Sequence, residues 1–203
     1  MGSNIKQVNI KSRFIILAVI LILGGLGAVT AIAGWKENPS FDATNEVGFI
    51  LASTRFKPGE MIPIKYTCDD KDVSPELLWG DPPKGTKSFV LIMEDTDASK
   101  GNWVHWLVYD MPSRLRRLPE NLTKKEVLPT GAKQGQCWGY DKGERIGYAG
   151  PCPPPGLPHH YVFSLYALSG KTGLPPKATK AQVVEAMKGK ILGSAELMVR
   201  YGR

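Results

Sequence analysis

Two stretches, Ser88-Phe-Val-Leu-Ile-Met-Glu94 and Tyr161-Val-Phe-Ser-Leu-Tyr-Ala-Leu168, are apolar on both of their alternating faces. An extended chain turns successive side chains to opposite sides, so a strand apolar on both sides has to be covered on both. That requirement predicts central strands of a sheet enclosed between other layers. Shorter runs at residues 49–53, 62–67, 104–109 and 196–201 are β-branched or aromatic and bounded by glycine or proline, and they predict further strands. One helix is signalled by Thr179-Lys-Ala-Gln182, a capping-box pattern, followed by Val183, Val184, Met187 and Ile191 on one stripe, with Gly193 to end it. Residues 118–130 and 151–158 read as loops. The expectation is a mainly β chain with a flanking C-terminal helix, and 42% apolar residues in 203 suffice for one core.

Polar residues sit at the ends of these runs. Asp95 and Asp97 close the first, His105 lies in Trp103-Val-His-Trp-Leu-Val-Tyr109, and His159 and His160 precede Tyr161. Alternation puts the two carboxylates on one face and the two adjacent histidines on opposite faces, so at most one of these imidazoles joins the cluster; His159 is preferred. A buried polar group without a partner costs about 1 to 3 kcal/mol, so these groups converge either on a ligand or on backbone groups that satisfy them. Spacing alone leaves both readings open.

Together with their neighbours these stretches resemble the phosphatidylethanolamine-binding protein family, also called Raf kinase inhibitor-like proteins, in its prokaryotic form. Thr67-Cys-Asp-Asp-Lys-Asp-Val-Ser-Pro75 with Leu78-Trp79 is similar to the family's early loop and strand, and Lys84-Gly-Thr-Lys-Ser-Phe-Val90 to its lead-in to the next strand. Asp95-Thr-Asp-Ala98 resembles the family's Asp-Pro-Asp-Ala-Pro segment, and His105-Trp106 its histidine block. Gly147-Tyr-Ala-Gly-Pro-Cys-Pro-Pro154 and His159-His-Tyr161 resemble the loop and the His-Arg-Tyr that close the site. The blocks run in the family's order over residues 49–203.

The resemblance implies a β-sandwich, a large central antiparallel sheet plus a smaller sheet, with peripheral helices including a C-terminal one. It also implies that Asp95, His105, His159, Tyr161 and the backbone of Gly150, Pro151 and Cys152 line a small pocket for phosphate or phosphoryl head groups. Trp106 would support that pocket and Asp97 brace its loop, while Asp95 would orient His105 or accept from a ligand ammonium. Because Cys68 and Cys152 both lie in family-like blocks flanking the pocket, the resemblance pairs them, with Cys137 as the runner-up partner. Thr96 and Ser99 stand where the family has prolines, which removes two fixed φ angles. Glu76 stands where many relatives have proline, and residues 133–144 look longer than the family's loop.

The N-terminus is of another kind. Residues 14–35 carry no charge and are long enough to cross a bilayer core of about 30 Å, while Lys6, Lys11 and Arg13 precede them. By the positive-inside rule residues 1–13 stay cytoplasmic, 14–35 form a transmembrane signal anchor, and 36–48 tether a domain outside the cytoplasm. Ala31-Ile-Ala33 is also a small-residue cleavage pattern, so secretion after Ala33 is the competing expectation. Removing the three cations of residues 1–33 from the net charge of +7 leaves +4, with the remaining cations dispersed. Nucleic-acid binding is therefore not expected. No two cysteines are two to four residues apart, so no zinc site is expected either, nor any cofactor.

Three functions remain in view. The first is a non-catalytic binding module for a small anion or phosphoryl ligand that inhibits a protein partner such as a protease. The second is a hydrolase or metal enzyme using Asp95, Asp97, His105 and His159, against which stands the lack of a nucleophile-elbow or zincin motif. The third is a structural envelope protein with a vestigial pocket.

Overall fold

The structure, a computed structural model, describes residues 48–99, 101, 103–139 and 143–203. The expected cytoplasmic segment, the membrane anchor and the tether up to residue 47 lie outside the described residues.

Strands dominate, as the apolar runs predict. β1 (Leu51–Ala52), β2 (Leu77–Trp79) and β5 (Arg117–Leu118) form a small sheet in the order β1-β2-β5. β3 (Ser88–Asp95), β4 (Trp103–Pro112), β6 (Lys133–Gln134), β9 (His159–Leu168) and β10 (Ile191–Tyr201) form the large sheet in the order β10-β9-β3-β4-β6, antiparallel throughout. β7 (Gln136–Gly139) and β8 (Gly143–Ile146) pair as a hairpin, so much of the long loop expected at 133–144 is strand.

β3 shows why the large sheet forms where it does. Phe89, Leu91 and Met93 point into a core shared with Leu51, Leu77 and Trp79 of the small sheet. Val90 and Ile92 point the other way, against Val183 and Met187 of α1 (Lys180–Met187). The predicted two-sided cover is complete for β3. On β9 it is uneven: Tyr161, Phe163, Leu165 and Ala167 are buried in the first core, whereas Val162, Ser164 and Tyr166 on the other face are half-buried.

Three predicted elements are corrected. Residues 62–67 do not form a strand; Ile64–Tyr66 is a 3₁₀ turn, because Pro63 has no N–H for a ladder and its fixed φ of −57° starts the turn instead. The helix stops at Met187 rather than reaching Ile191, since Gly189 takes a left-handed φ of +71° that turns the chain into β10. Ile191 is therefore a strand residue, 50% exposed, and Gly193 lies within the strand, where a Cβ would come within 2.8 Å of Pro83. The first predicted strand shrinks to Leu51–Ala52. Of the expected peripheral helices, α1 and the 3₁₀ turn are found among the described residues. The capping box is formed, with Thr179 accepting from the Gln182 amide and the Gln182 side chain accepting from the Thr179 amide.

Cys68 and Cys152 are joined, with Cα atoms 5.5 Å apart and 84 positions apart in sequence. Cys137 is a free, buried thiol, so the runner-up pairing does not occur. It lies in β7, where its Sγ is 3.0 Å from the Gly147 carbonyl, and burial raises its pKa to about 12.

Two stability measurements follow. Replacing both Cys68 and Cys152 by alanine should cost about 2 to 4 kcal/mol in urea unfolding, since the cross-link closes a long loop in the unfolded chain. Thr179→Ala should cost about 1 kcal/mol by losing the cap, while Thr54→Ala, an exposed side-chain contact, should change stability by under about 0.5 kcal/mol.

Candidate functional site

β3 and β9 run antiparallel with Asp95 opposite Tyr161, and β4 lies on the other side of β3 with Trp103 opposite Asp95. Pairing therefore gathers the polar strand ends at one edge of the sheet. They surround a cavity of about 340 Å³, roughly the size for a small ligand, lined by Asp95, Asp97, His105, Cys152, His159 and Tyr161. Ala98, Ser99, Trp103, Pro153 and Pro154 complete the wall and were not expected from sequence to line it. For Trp103 a signal existed: it stands two residues before His105 in the same strand and so faces the same side.

Two carboxylates hold the rim by hydrogen bonds. Asp95 Oδ2 accepts from His159 Nδ1 at 2.8 Å, and its Oδ1 accepts from the Asp97 amide at 2.9 Å, tightening the turn after β3. Asp97 Oδ2 accepts from both the amide and Nδ1 of His160, at 2.6 and 2.7 Å. The amide bond and then the imidazole hold the Asp97 carboxyl below its ordinary range. Asp97 thus ties the turn after β3 to the start of β9. The two adjacent histidines have divided between the two aspartates, with His159 at the cavity.

His105 departs from expectation in one respect. Its Nδ1 is 2.8 Å from the Ala149 carbonyl, which can only accept, so Nδ1 carries the proton and the backbone, not Asp95, orients the ring. Burial lowers the pKa of the imidazole, only partly offset by that carbonyl and the Asp95 charge, so the ring is neutral at pH 7. Nε2 is then a bare acceptor.

Tyr161 packs edge-on against the His105 ring, with centroids 5.2 Å apart. Its hydroxyl is buried in the cavity wall and closes no hydrogen bond of good geometry, although Asp95 and the Cys152 backbone lie near enough to act on it. Burial, then the Asp95 charge, raises its pKa far above 10, so it stays a donor.

The loop at residues 148–152 is fixed from behind. The Ala149 amide donates to the His105 carbonyl, the Cys68 amide to the Pro151 carbonyl, and the Tyr148 hydroxyl to the Tyr66 carbonyl. The Gly150 amide donates to Asp72 Oδ1 at 2.6 Å, and a Cβ on Gly150 would lie 2.4 Å from the Tyr66 carbonyl oxygen. With that amide taken and Pro151 having none, neither residue offers an N–H to an anion, and neither lines the cavity; their place is in the supporting loop. Trp106 likewise faces away from the cavity, stacked edge-on with Tyr148 and donating from its indole to Gln134. Among the described residues no set of three or more His, Cys, Asp or Glu side chains is arranged to hold a metal ion.

Sequence and structure comparisons agree with this architecture. The profile of the phosphatidylethanolamine-binding protein family matches residues 52–202. A UPF0098 protein of Aquifex aeolicus is 49% identical over 153 residues, covering 74% of this chain and 86% of its own. The Mycobacterium tuberculosis protein described as lipoprotein LppC is 32% identical over 194 residues, covering 90% of each. Among solved structures, the phosphatidylethanolamine-binding protein homologue CT736 of Chlamydia trachomatis superposes with a TM-score of 0.66 at 35% identity, covering 77% of this chain and 98% of its own. Escherichia coli YbcL gives 0.68 at 30% identity, covering 77% and 99%. With its profile, relatives and fold all in agreement, the chain belongs to the phosphatidylethanolamine-binding protein family.

Proposed function

We propose that this chain is a non-catalytic binding protein, anchored in a membrane with its domain outside the cytoplasm, whose cavity takes phosphate or a phosphoryl head group. One observation carries the ligand reading: the Tyr161 hydroxyl, buried and closing no hydrogen bond of good geometry, lies in the wall of a cavity also lined by His105 and His159. A buried donor left unsatisfied is costly, and an anionic oxygen would satisfy it. His159, with its Nδ1–H on Asp95, leaves Nε2 to the cavity and donates from it to an anion when the ring is an imidazolium.

Neutral His105 refines the ligand. An Nε2 acceptor favours a phosphoryl group that keeps one proton, such as a phosphomonoester monoanion, over the dianion. Location outside the cytoplasm is supported by the uncharged residues 14–35 behind three cations and by the Cys68–Cys152 bond, of a kind that persists in oxidising compartments. The lipoprotein name of the mycobacterial relative points the same way. A protein partner, such as a protease to be inhibited, would meet the proline-rich rim at residues 153–158, where Leu157 is 88% exposed. Against hydrolysis, Cys152 is spent in the disulfide and the imidazole of His105 is held as a weak base.

Titration calorimetry of the full chain in detergent with a phosphomonoester tests the reading. Tyr161→Phe and His159→Ala should each weaken binding by about 1.5 to 3 kcal/mol, the range for hydrogen bonds to charged groups. Affinity should rise as pH falls from 8 through about 6, where the monoanion forms, and His105→Ala should diminish that rise. Equal affinity in all variants would remove the site from this role.

A further inference from the structure

The central sheet has two unlike ends. At the cavity end lie Asp69, Asp70, Asp72, Asp95 and Asp97, with Lys71, Lys124, Arg145 and Arg203 among them. At the other end three turns are tied together. The Lys87 amide donates to the Leu168 carbonyl, the Ser169 amide to the Lys190 carbonyl, and the Ser88 hydroxyl to the Gly170 carbonyl. Pro112, which closes β4, pairs with Ser88 at the same end and carries the chain into Ser113 and Arg114. This end therefore bears Lys84, Lys87, Arg114, Lys171, Lys188 and Lys190, joined by Arg116. Its described carboxylates include Asp81, 3.7 Å from Arg116, Glu185, paired with Lys188, and the buried Asp110, paired with Lys133.

Apolar side chains stand among these cations. Ile191 is 50% and Leu192 40% exposed, and a Cβ on Gly85 would touch Leu192 at 3.8 Å. Ile50, 66% exposed, adjoins them through the Gly80 amide that donates to its carbonyl and through Phe49, which packs near Gly193 beside Pro83. Gly48, where the described chain begins, lies against Gly80 at this same end.

We infer that this end is a contact face for an anionic lipid surface, on which the domain rests with its cavity facing away from the bilayer. Lysines around exposed aliphatic side chains fit such a surface: the cations meet lipid phosphates while Ile50, Ile191 and Leu192 enter the interface. The cavity end, where carboxylates and cations nearly balance, offers no such attraction, which sets the sense of the orientation. β3 spans the two ends in eight residues, so its seven steps of about 3.3 Å hold the cavity about 23 Å beyond the contact face. A phosphoryl ligand then arrives from solution or on a partner, not from the bilayer that carries the protein. This inference rests on the proposed membrane anchoring.

Lysine acylation of the full chain in lipid nanodiscs, read by mass spectrometry, tests it. In discs containing phosphatidylglycerol, Lys84, Lys87, Lys171 and Lys188 should react several-fold more slowly than in pure phosphatidylcholine, while Lys71 and Lys124 at the cavity end should not change. The Lys84→Glu/Lys87→Glu/Lys171→Glu variant should lose the protection at Lys188, and high salt should remove it in the parent chain. Protection at Lys71 and Lys124 instead, or no dependence on anionic lipid at either end, overturns the inference. If the chain stays out of the bilayer when detergent is removed, the anchoring reading fails, and the same labelling with added phosphatidylglycerol vesicles decides the contact face by the same criteria.

Discussion

Burial of β3 on both faces is the constraint from which the rest of the domain follows. Phe89, Leu91 and Met93 need one layer and Val90 and Ile92 another, so the small sheet and α1 are both required to keep one strand dry. A strand enclosed in this way can carry charge only near its ends. Glu94 is held by Lys180 at the foot of α1, and Asp95 by His159 of β9, so both acidic residues at the end of β3 are satisfied by neighbouring elements. The candidate site arises where the buried strand runs out.

Behind that edge the wall is stiffened by backbone rather than by long side chains. The loop at residues 148–152 is held to β4 by Ala149, to the 3₁₀ turn by Tyr148, to the following loop by Gly150 and Asp72, and to the same loop by the disulfide. Asp72 itself takes a left-handed φ of 51°, which aims its carboxylate at the Gly150 amide, and Lys124 balances its charge from the far side. Such a wall keeps the histidine and tyrosine of the cavity in fixed positions before any ligand arrives, lowering the ordering cost of binding.

Much of this was legible in the residues. Short apolar runs bounded by turn residues mark β3, β4 and β9, and the pleat assigns Asp95 and Asp97 to one side and His159 and His160 to opposite sides. Sequence missed what depends on distance. That Asp95 would choose His159 and leave His105 to a carbonyl cannot be derived from spacing, since both imidazoles are on neighbouring strands and the deciding partner, Ala149, comes from a loop. The helix was overrun to Ile191 because a stripe of apolar residues at helical spacing continued past Gly189, whose positive φ has no mark beyond being glycine. Pro63 stands among β-branched and aromatic residues that favour a strand, but without an N–H it cannot join a ladder, and the turn prevails. The Cys68–Cys152 pair came from resemblance alone, as no separation in sequence measures a gap of 5.5 Å.

The disulfide joins two loops and no strand, and this has a consequence for where the protein can work. The sheets have their own ladders and cores, so the chain can reach its fold with both thiols reduced. The cavity wall at Cys152 is then free to part from the loop at Cys68, and the rim formed by residues 152–154 loses its covalent tie. Folding and competence are thus separable in this domain. A newly made chain in a reducing compartment would carry the fold without a finished cavity, and the cavity would be completed on arrival where disulfides persist.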